Sequence, residues 1–218
     1  MKKKISSINI NNIRREYIRG ELRRNNLTQD PLKIFHRWLI DAYKSSIPDP
    51  SAMCVSTVDH FGQPYQRIVL LKYFDKNGLI FYTNFSSRKA RHISLNNKVS
   101  ALFPWNILDR QVLFIGNAEK IPFLKVKKYF YSRPKNNQIS TLISKQSSII
   151  SNRSQLEKLF LKYKKKYKNK KIPYPYYWGG YRIKFNFVEF WQGRTKRLHD
   201  RFLYKKKNKS WIIYRLAP

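Results

Sequence analysis

The sequence predicts a mainly β domain with peripheral helices (α+β), built as an antiparallel barrel, and three observations predict it. Short apolar runs of strand length follow one another across turn residues, as in AMCVSTVD, HFGQP, QRIVLLKYF, DKNG and LIFYT between residues 52 and 83. Segments of helical period fall between and around these strands, without the one-for-one alternation of a parallel sheet. Hydrophobic residues make up 42% of the 218 residues and aromatics 16%, enough for a closed core despite the high charge.

The elements follow in order. Residues 1–29 read as a basic, mobile N-terminal segment, and 30–218 as a single domain. Asp30 and Pro31 form an N-cap followed by a first-turn proline, and Leu32, Phe35, Leu39 and Ala42 share one face of the helix they start. AMCVSTVD, QRIVLLKYF and LIFYT are three strands, and a short helix is expected over 87–96. VSALF and QVLFIGNAEKI resume the strands, and PFLKVKKYF opens a helix with proline in its first turn. Ser154 and Glu157 have capping-box spacing ahead of LEKLFLKYKKKY. Beyond a turn around Trp178, Gly179 and Gly180, the residues Tyr181, Ile183, Phe185 and Phe187 alternate with polar ones, the pattern of a half-buried strand. RFLYK and SWIIYRL make a closing pair.

Composition limits the function classes. Cys54 is the sole cysteine, so no internal disulfide forms and a reducing, cytoplasmic setting is expected. The start MKKKISSINI is interrupted too soon by Asn11, Asn12, Arg14 and Arg15 to serve as a signal peptide. A formal charge of +34 attracts anions and, non-specifically, nucleic acid. Much of the surplus is lysine in stretches such as KKYKNKK, which read as solvated faces. No metal site is expected, because the four histidines lack ligand spacing. No nucleophile elbow occurs, and the twelve acidic residues are scattered.

What remains are clusters of cations and hydroxyls at strand ends and loops: RIVLLK (67–72), YTNFSSRK (82–89), KQSS (145–148) and WQGRTKRLHDR (191–201). The second has no glycine, so it is no phosphate-binding P-loop. Each cluster alone has an ordinary structural explanation. In the last, however, Arg194, Lys196, Arg197, His199 and Arg201 crowd around a single Asp200, which is costly unless an anion joins them.

Taken together with RREY (14–17), DPLKIFHRWL (30–39), GQPYQRIVLLK (62–72), LFPW (102–105), FWQG (190–193), RLHDRFLY (197–204) and the terminal RLAP, these clusters resemble the pyridoxine/pyridoxamine 5′-phosphate oxidase family nearly end to end. The resemblance implies an FMN-binding split β-barrel and a homodimer with FMN at its interface. It implies oxidation of pyridoxine or pyridoxamine 5′-phosphate to pyridoxal 5′-phosphate by hydride transfer to FMN, with O2 reoxidising the flavin to H2O2. By the same resemblance, FMN is held by Arg67, Ile68, Val69, Leu70, Leu71, Lys72, Tyr82, Thr83, Arg88, Lys89, Gln111, Gln146, Ser147, Trp191 and Arg201. Substrate is held by Lys72, Tyr129 and Arg133, with Asn137 where the family usually has serine. Arg197, Leu198 and His199 hold the pyridine ring, Arg197 and His199 being the candidate catalytic residues. Arg14, Arg15, Glu16 and Tyr17 form part of a lid over the substrate. Two rivals have different signatures: another split-barrel flavoprotein would lack Tyr129, Arg133, Arg197 and His199, and a nucleic-acid-binding protein would hold no flavin.

Overall fold

The computed structural model describes residues 9–218, so the very start of the expected mobile segment lies outside the described residues. Nine strands and five α-helices are present among them: α1 (Pro31–Lys44), β1 (Ala52–Val58), β2 (Pro64–Leu70), β3 (Tyr73–Asp75), β4 (Gly78–Asn84), α2 (Arg88–Leu95), β5 (Lys98–Trp105), β6 (Arg110–Lys120), α3 (Phe123–Ser132), α4 (Lys135–Ile143), α5 (Arg153–Lys166), β7 (Trp178–Gln192), β8 (Asp200–Lys207) and β9 (Ser210–Leu216).

All strands pair antiparallel, in the order β2-β1-β5-β6-β7-β4-β3. The two ends of that order, β2 and β3, are consecutive in sequence. QRIVLLKYF, expected as one strand, therefore splits at Leu71–Lys72, where Leu71 N–H bonds to Ser51 O (2.8 Å) and Lys72 N–H to Ile80 O (2.9 Å). This link ties the sheet's two ends together. Strand β7 serves two partners on one side, β4 along its first half and β8 along its second, and β9 continues from β8.

The barrel is filled by Phe81, Phe103, Phe114, Val188 and Phe190, with Phe35 of α1 plugging one end against Phe74, Phe103 and Phe114. The buried face of α1 is Ile34, Phe35, Trp38 and Ala42. Leu32 and Leu39 lie at its margin, because Trp38 turns the apolar stripe by about one residue. In β7 the alternation reverses: Tyr181, Ile183 and Phe185 face inward, then Val188 and Phe190. A register shift opposite Ile115/Gly116 leaves Asn186 without a ladder partner and flips the parity.

Three local expectations are corrected. Trp178, Gly179 and Gly180 are strand, not turn, paired with Asn84, Thr83 and Tyr82. Gly179 is required by packing, since a Cβ there would meet the Phe85 ring at 1.9 Å. Helix α5 is capped by Asn152, whose side chain accepts from Gln155 N–H at 3.0 Å; Ser154 sits inside the first turn and Glu157 pairs with Arg153. Helix α4 was not expected at all. The 29/30 boundary is not one of packing either: Leu22 is 2% exposed in the core, and its N–H bonds to Asp200 at 3.1 Å. No helix among the described residues is long and apolar enough to cross a membrane.

Candidate active site

A cavity of about 650 Å³ opens between β2, the end of β4, the start of α2 and helix α4. At one end the chain leaves β4 and turns into α2 without a glycine, aided by Asn84, whose side chain accepts from Ser86 N–H at 2.7 Å. That turn places Lys89 inward, 8% exposed. Its ammonium donates to Thr83 Oγ1 (3.2 Å), Gln146 Oε1 (3.2 Å) and Ser87 Oγ (3.4 Å). All three acceptors are neutral, so the charge is solvated by dipoles and answered by no carboxylate. Burial, and then Arg67, push the Lys89 ammonium down to about 8.

Arg67 is fixed by bonds to Val55 O (3.0 Å) and Thr57 Oγ1 (2.7 Å), and burial lowers its pKa too. Ser147, in the left-handed region at φ 71°, accepts from Arg88 N–H at 3.2 Å. The Arg88 guanidinium itself lies over Tyr65, exposed. These groups form an anion cradle: cations held by hydroxyls and amides, with no acid among the described residues that line it.

The other end of the cavity holds a second cationic locus. Tyr82, Tyr129 and Trp178 stack as near-parallel rings, with Tyr82 and Tyr129 centroids 3.9 Å apart. Arg133 lies 4.8 Å over Trp178 and bonds to Thr141 Oγ1 at 2.9 Å and Asn137 O at 3.3 Å. Burial raises the Tyr82 and Tyr129 phenols, so both stay protonated and able to donate. Lys72 also lines the wall, as do Ile68 and Leu70, 59% and 37% exposed in the single chain.

A separate region lies across β6, β7 and β8. Ladder register sets Gln111, Trp191 and Arg201 side by side, lining a smaller cavity of about 260 Å³. Arg201 is paired with Glu189 at 2.8 Å. Beside Trp191 lies His199, ring centroids 4.7 Å apart, and Tyr17 covers both edge-on. Arg194 N–H donates to His199 Nδ1 at 3.1 Å, which puts the proton of the neutral ring on Nε2. Burial first, then Arg197, lowers the His199 pKa. Lys196 and Arg197 both have left-handed φ, 56° and 63°, a strained turn of the kind stored at functional loops. Arg197 sits 5.4 Å from the Tyr17 ring, and with Arg14, Arg15 and Glu16 it lines a cleft of about 550 Å³.

This arrangement has known counterparts. Residues 39–166 match the family described as Pyridoxamine 5'-phosphate oxidase, and residues 178–218 its Pyridoxine 5'-phosphate oxidase C-terminal dimerisation region. The chain is 58% identical to the pyridoxine/pyridoxamine 5'-phosphate oxidase of Blochmanniella pennsylvanica over 98% of this chain and 99% of that one. It is 55% identical to the enzyme of that name from Yersinia pestis, over 98% of each. The chain belongs to the pyridoxine/pyridoxamine 5'-phosphate oxidase family. Among solved structures, PhzG from Burkholderia lata, in complex with tetrahydrophenazine-1-carboxylic acid, superposes with a TM-score of 0.84 at 25% identity, covering 89% of this chain and 95% of that one. A pyridoxamine 5'-phosphate oxidase-related, FMN binding protein from Nostoc punctiforme shares the fold, with a TM-score of 0.71 at 14% identity over 88% of this chain and all of that one. The expected split-barrel class stands.

Of the residues expected from the family, the large cavity gathers Arg67, Ile68, Val69, Leu70, Lys72, Tyr82, Thr83, Lys89, Tyr129, Arg133, Gln146 and Ser147. Gln111, Trp191 and Arg201 lie in the smaller cavity, and Arg14–Tyr17, Arg197 and His199 cluster next to Trp191. Two expectations need correction. The Leu71 side chain is in the core, 6% exposed, because β2 ends there and the chain turns inward; Leu71 is not part of the cavity wall. The Asn137 side chain is solvent-exposed and outside the cavity wall; only its carbonyl meets Arg133. Sequence reasoning missed Asp109. Its carboxylate is wholly buried, faces Arg15, and accepts no other hydrogen bond among the described residues. A left-handed φ of 54° at a residue other than glycine marks the position, a feature invisible in sequence.

Proposed function

We propose that the chain is an FMN-dependent oxidase that converts pyridoxine 5′-phosphate or pyridoxamine 5′-phosphate to pyridoxal 5′-phosphate, acting in the cytoplasm as a homodimer. The observation that carries this reading is the buried Lys89 ammonium, held only by neutral oxygens beside Arg67. Such a group calls for an anion of phosphate geometry, and the cavity extends from it past Ile68 and Leu70 to a second anion locus at Lys72, Tyr129 and Arg133. One cavity with two phosphate-type ends suits a flavin mononucleotide lying against a phosphorylated substrate. FMN, when bound, supplies the two-electron acceptor for the C4′ alcohol or amine, with O2 as final oxidant and H2O2 as product.

The protein's own residues position and polarise. Lys89, Arg67, Thr83, Gln146 and Ser147 hold the cofactor phosphate, and Arg88 adds long-range charge. Lys72, Tyr129 and Arg133 hold the substrate phosphate. Arg197 remains a cation at working pH, so it orients the pyridine ring and offsets charge that develops on it. The neutral His199 ring offers its Nε2–H to a ring hydroxyl. Tyr17 closes over Trp191 and His199 and excludes water.

The second region completes the site from a second copy of the chain. Gln111, Trp191 and Arg201 lie in a cavity of their own within one protomer, on the 178–218 stretch or opposite it in the ladder. Docked on the partner, they would meet the flavin edge along the exposed Ile68 and Leu70. Polyanions bind the excess surface charge only non-specifically.

The test is the visible spectrum of the purified protein, supplied with FMN and freed of oxygen. Addition of pyridoxine 5′-phosphate is expected to bleach the flavin bands, and air to restore them. A bound flavin that stays oxidised would overturn the substrate, and a protein that retains no flavin would overturn the cofactor.

A further inference from the structure

Resting on the proposed function, we infer that the hydroxyl that sets the substrate-phosphate subsite in this chain is that of Thr141, on the second turn of α4, and not the side chain of residue 137. Thr141 is a positioning residue and acts through Arg133.

Four observations carry the assignment. Thr141 lines the large cavity, whereas Asn137 does not. Its Oγ1 accepts from Arg133 Nη1 at 2.9 Å and donates to Asn137 O at 2.9 Å. Arg133 Nη2 bonds to the same carbonyl at 3.3 Å, and its plane lies on Trp178. The guanidinium is thereby held on one edge by two oxygens and on one face by a ring, and its remaining N–H groups are left for a ligand.

The chemistry favours a hydroxyl at this place. Arg133 follows the end of α3 and precedes the Pro134 that opens α4, so nothing in its own backbone fixes the side chain. A long side chain loses considerable rotamer freedom when it docks, and a fork already docked avoids that loss when the phosphate arrives. Threonine at 141 and the carbonyl at 137 are one helical turn apart, so α4 presents both to the same guanidinium. The side chain at 137 is not needed for this. Ser140 and Ser144 lie on the same wall, and make this end of the cavity a hydroxyl-rich surface suited to phosphate oxygens.

The experiment uses the FMN-saturated protein, so that the cofactor phosphate locus is filled, and reads two quantities: the KM for pyridoxamine 5′-phosphate and the inhibition or dissociation constant of inorganic phosphate. Thr141→Val is expected to raise both by roughly tenfold, the scale of a lost hydrogen bond to a charged group, with kcat and FMN affinity within about twofold of the parent. Thr141→Ser should restore both constants, and Asn137→Ala should change them by less than Thr141→Val does. An unchanged phosphate constant in Thr141→Val, or a larger effect at Asn137→Ala, overturns the assignment. A protein inert toward pyridoxamine 5′-phosphate but with phosphate binding weakened by Thr141→Val would refute the substrate and keep the subsite.

Discussion

The cavity between β2, β4 and α2 and the surface where the N-terminal segment meets β7 and β8 are both crowded with cations, yet those cations are partnered differently. In the cavity, Lys89, Arg67 and Arg133 are held by hydroxyls, amides and carbonyls. Across β7 and β8, Arg15 faces Asp109, Arg201 pairs with Glu189, and Arg194 and Arg215 share Asp200. Neutral acceptors orient a cation without cancelling its charge, so the cavity keeps its field for a ligand. Carboxylates cancel the charge and convert it into architecture. Arg197 departs from this in the second region, as do Arg14 and Lys196: it sits on the Tyr17 ring and forms no ion pair among the described residues. The difference separates cations whose charge is left open to a ligand from cations whose charge a carboxylate already answers, even where the side-chain types are the same.

The strongest way to break this comparison is at Arg197. If Arg197 is a working cation in a region of structural ones, Arg197→Ala should lower kcat by about 10²–10³-fold, the cost of removing a group that stabilises developing charge. FMN affinity and thermal stability should stay near the parent, because no ion pair is lost. Steady-state kinetics with a parallel FMN titration checks it; equal losses in both would return Arg197 to the architectural set. By contrast, Arg15→Ala strands the buried Asp109 carboxylate and should lower the melting temperature.

In the cavity the corresponding variant is Lys89→Met, which keeps the length and removes the charge. It is expected to weaken FMN roughly 10–100-fold, the range of a charge-assisted hydrogen bond, as read by quenching of flavin fluorescence. Because no carboxylate is orphaned, the FMN-free variant should be no less stable than its parent. A destabilised variant with unchanged FMN affinity would show that Lys89 serves the fold.

How much of this was legible in the sequence depends on the range of the interaction. The strand order of hydrophobic runs, the first helix with its Asp30–Pro31 start, and α2 were readable because they rest on local period and caps. Helix α4 was not: KNNQISTLI is rich in Asn, Ser and Thr, which favour turns and caps, and only tertiary burial of Gln138 and Ile139 makes it a helix. The β7 bulge at Asn186 and the strand role of Gly179 depend on Phe85 and on the opposite register, which lie far away in the chain. Many site residues were readable through the resemblance. The partners that decide their role were not, since Thr141 and Asp109 acquire meaning only from Arg133 and Arg15 in space.

The smallest expected effect sharpens the comparison by pH. Burial sets the Lys89 ammonium at about 8 before a phosphate is present, below its ordinary value near 10.4. A bound phosphate favours the charged form and raises that value. Proton linkage then makes FMN affinity level below pH 8 and falling above it, by about tenfold between pH 7 and 9. Stability of the FMN-free protein should run the other way. The fold binds fewer protons at Lys89 than the unfolded chain does between about pH 8 and 10.4, so it gains stability from this group as pH rises through that window. Lys89→Met should abolish both slopes. The carboxylate-paired arginines of β7 and β8 do not titrate there, so a slope that survived in Lys89→Met would have to come from a group other than Lys89 and those arginines.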